Sequence, residues 1–208
     1  MNPEQMFNDE ELELLSNSHF FNLKAGITQK LSALLGELSE SLEIIIKNIS
    51  NNFTEEVRQS QPKISRGENY RGLPWIVLDY PRVFKQTNVF AFRSLCRWGH
   101  EFSFTLHVSG NYFDAIKNSL PAFLISLEKE SIYICISDSP WHYHFEKENY
   151  ILISELISVE KNLDKWIAHR TFIKLSSKTE LQNYSNATAY GIAFFRLLME
   201  KLFPAQNN

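Results

Sequence analysis

The chain has 208 residues, of which 44% are hydrophobic and 22% charged, and its formal net charge is −3. This composition, with only 7 Gly and 7 Pro, excludes a disordered or fibrous protein, and 2 cysteines exclude a disulfide scaffold. A chain of this length buries on the order of 70% of its unfolded surface without a metal or a disulfide. We therefore expect one globular domain over residues 1–208, with residues 204–208 as a frayed tail.

The first third of the sequence predicts two helices. A short acidic helix over Asp9–Leu15, with Asn8 as its N-cap, precedes a long amphipathic helix. In the long helix, apolar residues recur from position 20 to position 49 in steps of 3, 4 and 4, which is a period close to that of a straight α-helix. Unbroken, this helix would be about 45 Å long. Gly26 and Gly36 are the two positions at which it could break.

The middle of the chain predicts an antiparallel sheet. Residues 62–74 are polar and basic and form a loop or an irregular edge, and three strand-like runs follow over Trp75–Tyr80, Val89–Trp98 and Glu101–Ser109. Alternation in the last run is typical of a sheet with one wet face. Three residues are expected to connect the last two runs, because the bulky side chains of both must share a face. The wet face would carry Arg93, Arg97, Glu101, Ser103, Thr105 and His107.

The second half predicts further helices and strands. In chain order these are a helix over Tyr112–Leu127 that kinks or restarts at Pro121, strands over Ile132–Ile136 and Trp141–Phe145, a short helix over Glu160–Ile167, a strand over Arg170–Leu175, and a helix over Asn186–Phe203. The predicted class is α+β. It comprises a mainly antiparallel sheet of five to six strands packed against the long N-terminal helix and a buried C-terminal helix.

Charge is segregated along the chain. Residues 1–57 hold 10 acidic and 3 basic residues, whereas residues 58–97 hold 8 basic and 2 acidic ones. Arginine recognises carboxylates and phosphates through its planar fork. One hypothesis is therefore a small anionic ligand held by Arg66, Arg71, Arg93, Arg97 and Tyr70. The other is that these arginines pair with the acidic helices of the same chain, at Glu37, Glu40 or Glu43, or are solvated.

Histidines give a second signal. In Trp141-His142-Tyr143-His144-Phe145-Glu146, a strand would place His142 and His144 on one face, where two imidazoles can ligate a metal ion. The alternative is a polar, solvent-facing strand. The candidates for proton transfer are Asp79, His107 and His142, the first because it follows a buried strand and the others because histidine titrates near neutral pH.

The function classes are narrowed mainly by what is missing from the sequence. It has no phosphate loop, no nucleophile elbow, no paired metal-ligand motif and no dinucleotide fingerprint. We expect no cofactor, two reduced buried thiols, a cytoplasmic location and no membrane span. Three hypotheses remain: a non-catalytic interaction or regulatory module that forms a homodimer, a protein or enzyme that binds a small anionic ligand, and a protein that binds single-stranded nucleic acid. The acidic isoelectric point argues against the third.

Overall fold

The core of the molecule is a seven-stranded antiparallel sheet in the order β1-β2-β3-β4-β7-β5-β6. The computed structural model describes residues 6–49 and 53–203, so the expected frayed tail at residues 204–208 lies outside the described residues. The strands are β1 (Lys63–Tyr70), β2 (Leu73–Phe84), β3 (Val89–Arg97), β4 (Glu101–Ser109), β5 (Tyr133–Cys135), β6 (Tyr150–Leu152) and β7 (Phe172–Glu180). The predicted α+β class is confirmed, with more strands than the five to six expected.

Eight α-helices occur in the described residues. They are α1 (Asp9–Ser16), α2 (Ser18–Asn48), α3 (Glu55–Arg58), α4 (Asn111–Ile116), α5 (Leu120–Ser126), α6 (Ile153–Val159), α7 (Leu163–Ala168) and α8 (Tyr184–Leu202). Helix α2 runs through Gly26 and Gly36 without a break. Asn8 caps α1 as predicted, because its side chain accepts a hydrogen bond from the Glu11 amide. A new helix, α5, begins beside Pro121, so of the predicted kink or restart the structure contains the restart.

One side of the sheet, here called the helix-covered face, packs against α2 and α8. It carries the bulky even-numbered residues of β3 and β4, and the Phe92 ring lies 4.9 Å from the Phe195 ring of α8. Helix α8 approaches β4 so closely that a Cβ at Gly191 would lie 2.5 Å from the Phe104 ring. The C-terminal helix therefore buries one side on the sheet, and its other side is exposed.

The opposite side, here called the loop-covered face, carries the polar residues that alternate with the core. Three residues, 98–100, connect β3 and β4, and Cys96 pairs with Phe102, so both the predicted loop length and the predicted register are confirmed. Residues 137–149, here called the cover segment, pack over this face. For this reason the predicted wet face is wrong in one respect: Arg97, Ser103, Thr105 and His107 are buried.

Two predicted elements matter for the site: one is wrong, and the other, predicted as a loop or an irregular edge, is an irregular edge. Trp141–Phe145 is not a strand. Tyr143 and His144 are adjacent and both buried, which the alternation of a strand with one wet face does not allow. At the other side of the sheet, the polar run after Pro62 forms the edge strand β1, whose register shifts between Gly67 and Tyr70.

Strand β6 and helices α3 and α6 were not predicted. The remaining elements occur within a few residues of their predicted bounds, apart from β7, which is longer than expected. Cys96 and Cys135 are free and buried, as predicted. No helix within residues 6–49 and 53–203 has the length and apolar character needed to cross a lipid bilayer.

Candidate functional site

The loop-covered face is organised by cross-strand rows. Asp79 on β2 lies opposite Arg93 on β3, Arg93 lies opposite Thr105 on β4, and Thr105 lies opposite Ser176 on β7. In the next row, His107 on β4 lies opposite Lys174 on β7. Because residues directly opposite one another in an antiparallel pair share a face, four strands place a continuous band of polar and charged side chains beneath the cover segment.

Tyr143 is the residue through which the cover segment is attached. Its side chain is buried, and its hydroxyl oxygen lies 3.3 Å from Nδ1 of His107. Its backbone amide donates a hydrogen bond of 2.8 Å to the Tyr70 hydroxyl, which in turn lies 3.0 Å from Nδ1 of His144. The cover segment is therefore joined both to the floor of the sheet and to the end of its edge strand.

Lys174 lies at the β7 end of the buried band and is fully inaccessible to solvent. Its ammonium group donates a hydrogen bond to the backbone carbonyl oxygen of His142. It also lies 4.5 Å from the centroid of the Tyr143 ring and 5.0 Å from that of Tyr150, as in cation–π contacts. Burial lowers the pKa of Lys174 to about 8, so the side chain remains mostly charged at neutral pH.

His107 is held in its neutral form. Burial, followed by the charges of Lys174 and Arg93, lowers the pKa of its imidazole to about 3. Its Nε2 atom is buried and finds no hydrogen-bond partner among the described residues. The imidazole therefore contributes a polar but uncharged group to the floor of the sheet.

Asp79 and Arg93 form a bidentate ion pair at the edge of the band. Nε of Arg93 lies 2.7 Å from Oδ1 of Asp79, and Nη2 lies 2.9 Å from Oδ2. The guanidinium carbon lies 4.3 Å from the centroid of the Tyr143 ring. Nη1 of Arg93 has no hydrogen-bond partner within the part of the chain that the structure describes, and the side chain is 21% exposed. One edge of the guanidinium therefore remains available for a ligand.

A pocket of about 420 Å³ opens above this ion pair. Four aromatic residues line it: Tyr70, Trp75, Trp141 and Tyr143. The other lining residues are Ser65, Asn69, Val77, Asp79, Arg93 and Leu95. A concave site with mostly aromatic and aliphatic walls and a few convergent polar groups is the usual form of a small-molecule site. We name it the aromatic pocket.

Of the predicted ligand-binding residues, the structure brings Tyr70 and Arg93 together in the aromatic pocket. Arg97 lies on the same face but pairs with Glu101 at 2.9 Å outside the pocket lining. Arg71 lies at the surface and pairs with Glu146 of the cover segment at 2.9 Å.

The remaining predicted ligand residue lies elsewhere. Arg66 pairs in register with Ile76, a core residue of the helix-covered face, so its side chain points away from the pocket. In the described residues the arginines of this segment form no ion pair with Glu37, Glu40 or Glu43. One basic residue of the segment, Lys85, pairs with the acidic N-terminal third, through Glu56.

The three candidates for proton transfer are not gathered at one point. Both carboxylate oxygens of Asp79 are engaged by Arg93. His107 is 1% exposed, and the side chain of His142 lies on the outside of the cover segment, where it is exposed. No pair of these groups therefore forms the acid–base arrangement that a shared substrate would need.

The metal candidates are also separated by burial. His144 is buried while His142 is exposed. The group of potential ligand atoms found among residues 6–49 and 53–203 is instead His144, Glu146 and Glu148, within 4.8 Å of one another. Burial, and next the nearby charge of Arg71, lower the pKa of His144. Arg71 also engages Glu146, so one of the two carboxylates in the cluster already has a cationic partner.

Sequence reasoning missed Lys174, Trp75, Trp141 and Tyr143 as members of this site. A usable signal existed for Lys174, since Phe172, Lys174 and Ser176 alternate with buried aliphatic residues and so belong to the face that carries His107. In the cover segment the alternation of aromatic and polar residues over 141–146 indicated a strand that the structure does not contain, and the position of the segment over the sheet follows only from tertiary packing.

Comparison with known proteins gives no relative for this chain: no family model, no curated protein and no solved structure matches it.

Proposed function

We propose that this chain is a non-catalytic binding module whose aromatic pocket holds a small monocarboxylate with an apolar ring. The observation that carries this proposal is the free edge of Arg93. One edge of its guanidinium is used by Asp79, and the edge containing Nη1 has no partner in the described residues. A guanidinium binds carboxylates through two parallel N–H donors, so this edge suits a second carboxylate.

Charge balance favours a single negative charge on the ligand. Arg93 and Lys174 lie over the Tyr143 ring and Asp79 pairs with Arg93, so the three groups together carry a net charge of +1 while Lys174 is protonated. A buried charge is tolerated only when it is compensated. One carboxylate would bring this group to neutrality, whereas a doubly charged phosphate would overcompensate it.

The walls of the pocket favour a planar or apolar body on the same ligand. Trp75 and Trp141 add indole surface to the two tyrosine rings, and Val77 and Leu95 form an aliphatic floor. Aromatic side chains contribute large contact areas at a small cost in conformational entropy. A ligand body with one or two rings fits a pocket of this size.

The absence of an acid–base pair supports a binding role rather than catalysis. In the pocket, Asp79 is held by Arg93, and the neutral His107 lies outside the pocket lining, where it contacts the Tyr143 hydroxyl. These groups position and compensate charge, and none is both free and near an exposed partner. This agrees with the sequence-based hypothesis of a non-catalytic module and gives that module a specific ligand class.

Binding of single-stranded nucleic acid is supported less well. Within the basic residues 58–97, Tyr80 is buried in the core, and the ring of Phe84 packs beside Trp141 and Arg93. These rings therefore do not form an exposed stacking platform of the kind that single strands use. Four of the eight basic side chains also have acidic partners within the chain.

The proposal is tested by thermal unfolding and tryptophan fluorescence with a panel of aromatic monocarboxylates, such as benzoate and indole acetate, and their amides. A ligand at about 100 times its Kd stabilises the folded state by about 2.7 kcal/mol, which raises Tm by roughly 5–10 °C for a chain of this size. Acids should raise Tm and quench Trp75 or Trp141, and the amides should do so much less.

The informative variant removes both members of the ion pair, Asp79→Asn with Arg93→Gln, so that no buried charge is left alone. Its matched control is Arg97→Gln with Glu101→Gln, which removes a second ion pair on the same face outside the pocket. The acid-induced shift should disappear in the first variant and persist in the control. An equal shift in both variants, or no shift with any acid, contradicts the proposal, and a larger shift with inorganic phosphate assigns the pocket to a different anion.

A further inference from the structure

The N-terminal arm, defined as residues 6–27, has an unusually apolar surface. In the described residues, 17 large hydrophobic side chains are classed as exposed, and 9 of them lie in this arm. These are Met6, Phe7, Leu12, Leu14, Leu15, Phe20, Phe21, Leu23 and Ile27. Helix α1 has no buried residue. Single exposed apolar residues are ordinary, but a contiguous group marks a surface that associates with something.

The apolar surface of the arm continues a core-forming stripe. Leu38, Leu42 and Ile45 of α2 are buried against the sheet and α8. Phe20 and Leu23 belong to the same stripe about four to five turns before Leu38 and are 43% and 49% exposed. The sequence therefore specifies a helix face that is apolar along its whole length, although this chain covers only the later half.

An apolar groove lies directly beside the arm. It has a volume of about 460 Å³ between α2 and the start of α8, and Ile27, Leu31, Leu34 and Tyr184 form its apolar lining. Lys30 and Glu37 also line it and give it no net charge. Each chain thus presents both a projecting apolar arm and an apolar groove, which is the self-complementarity that a two-fold dimer requires.

We propose that two copies of this chain form a two-fold dimer in which α1 and the start of α2 of one copy pack into the α2–α8 groove of the other. The available area agrees with this. Nine large side chains, each roughly half exposed, present on the order of 800 Å² per copy, which is the amount that each partner buries in an interface of standard size.

Charge argues against a membrane as the occupant of this surface. Helix α1 carries Asp9, Glu10, Glu11 and Glu13 and no basic residue. Helices that lie on membranes usually carry Lys and Arg on their polar face, and the cytoplasmic leaflet is negatively charged. The acidic arm would be repelled by such a surface, whereas the uncharged groove of a second copy does not repel it.

The test is the oligomeric state of the full chain by sedimentation velocity and light scattering, compared with Phe20→Asp combined with Leu23→Asp. Both sites are exposed, so the fold is retained, which circular dichroism checks. The matched control is Val159→Asp, at an apolar side chain that is 73% exposed and lies far from the arm in sequence. The wild type and the control should be dimers at micromolar concentration, and the arm variant should be a monomer with a Kd raised at least tenfold.

A second experiment tests the pairing of arm with groove. The single variants Phe20→Cys and Tyr184→Cys are mixed and oxidised, and Cys96 and Cys135 do not interfere because both are buried. A disulfide that links one variant to the other supports the arrangement. Four results would overturn the proposal. The wild type could be a monomer, or the dimer could survive the arm substitutions. Crosslinks could form only between like variants, or the arm could bind vesicles of anionic lipid in place of dimerising.

Discussion

The two faces of the sheet are both shielded from solvent, but they bury different kinds of side chain. The helix-covered face is apolar and closes against α2 and α8 through contacts such as those of Phe92 with Phe194 and Phe195. The loop-covered face is almost as well shielded from solvent, yet it contains Asp79, Lys174 and a row of hydroxyl groups beneath a segment without regular structure. Burial of apolar side chains on the helix-covered face stabilises the fold. Burial of charged and polar side chains on the loop-covered face costs free energy unless each group has a partner.

Compensation on the loop-covered face is specific for each charge. Arg93 neutralises Asp79, and the His142 carbonyl oxygen and two tyrosine rings contact Lys174. Replacing buried ion pairs by apolar residues is often neutral or stabilising. We infer that this face is maintained for binding at the aromatic pocket, where a charged and partly desolvated floor is useful.

The largest expected effect separates the two faces on a single strand. Phe92→Ala should lower the free energy of unfolding by about 3–5 kcal/mol, because it leaves a sealed void among aromatic rings. Leu95→Ala, three residues later on the loop-covered face, should cost about 2 kcal/mol, because its void merges with the existing pocket. Urea unfolding of both variants measures the difference. Equal costs would mean that the two faces are packed alike.

The next effect is an acid sensitivity that arises from the loop-covered face. The pKa of His107 is lowered to about 3, so between about pH 6.5 and pH 3 the unfolded chain binds a proton that the folded chain does not. Stability should therefore fall as the pH falls through this window, by up to about 5 kcal/mol. His107→Gln keeps a hydrogen-bonding group near Tyr143 and should remove most of this loss, and the lowered pKa of His144 leaves a smaller residual slope.

Urea unfolding of the wild type and His107→Gln across this pH range measures the effect. Parallel pH profiles for the two proteins would show that His107 is not held neutral by the cover segment.

The sequence predicts the helix-covered face better than it predicts the loop-covered face. The helix-covered face follows from periodicity, because Phe102, Phe104, Leu106 and Val108 alternate with polar residues and the stripe of α2 has a helical period. The three-residue connection and its register could be predicted for the same reason. Local pattern determines which residues share a face.

The burial of the loop-covered face could not be predicted in this way. Thr105 and His107 have the same pattern whether water or the cover segment lies above them. The cover segment lacks strand partners, and Trp141 and Tyr143 are positioned by contacts with β2, β3 and β7 that are distant in sequence. Lys174 is missed for a related reason, since a lysine in a strand is normally exposed.

A third effect sharpens the comparison at alkaline pH. The pKa of Lys174 is lowered from its ordinary value of 10.5 to about 8, so between these values the unfolded chain holds a proton that the folded chain has lost. This group should therefore make the protein more stable as the pH rises through the window, by up to about 3 kcal/mol. Burial raises the pKa of both thiols and of Tyr143, and these groups act in the opposite direction above about pH 9.

The measurement is therefore the difference in unfolding free energy between the wild type and Lys174→Met as a function of pH. From about pH 8 upward, the free energy of unfolding of the wild type should rise relative to that of the variant. A constant difference would show that Lys174 titrates as in water and that the cover segment does not exclude solvent from it.

The smallest effect is expected at the outer edge of the cover segment. Arg71 and Glu146 are each 48% exposed, and their ion pair joins the β1–β2 turn to the cover segment. Exposed ion pairs contribute at most about 1 kcal/mol and weaken with salt, so Arg71→Gln should change global stability by less than that. The same substitution frees one end of the cover segment, so amide hydrogen exchange near Tyr143 should become measurably faster while exchange in β3 and β4 stays unchanged. A uniform increase in exchange rate across the sheet would mean that the cover segment unfolds together with the core. The two faces would then differ in the chemistry of their side chains but not in their local stability.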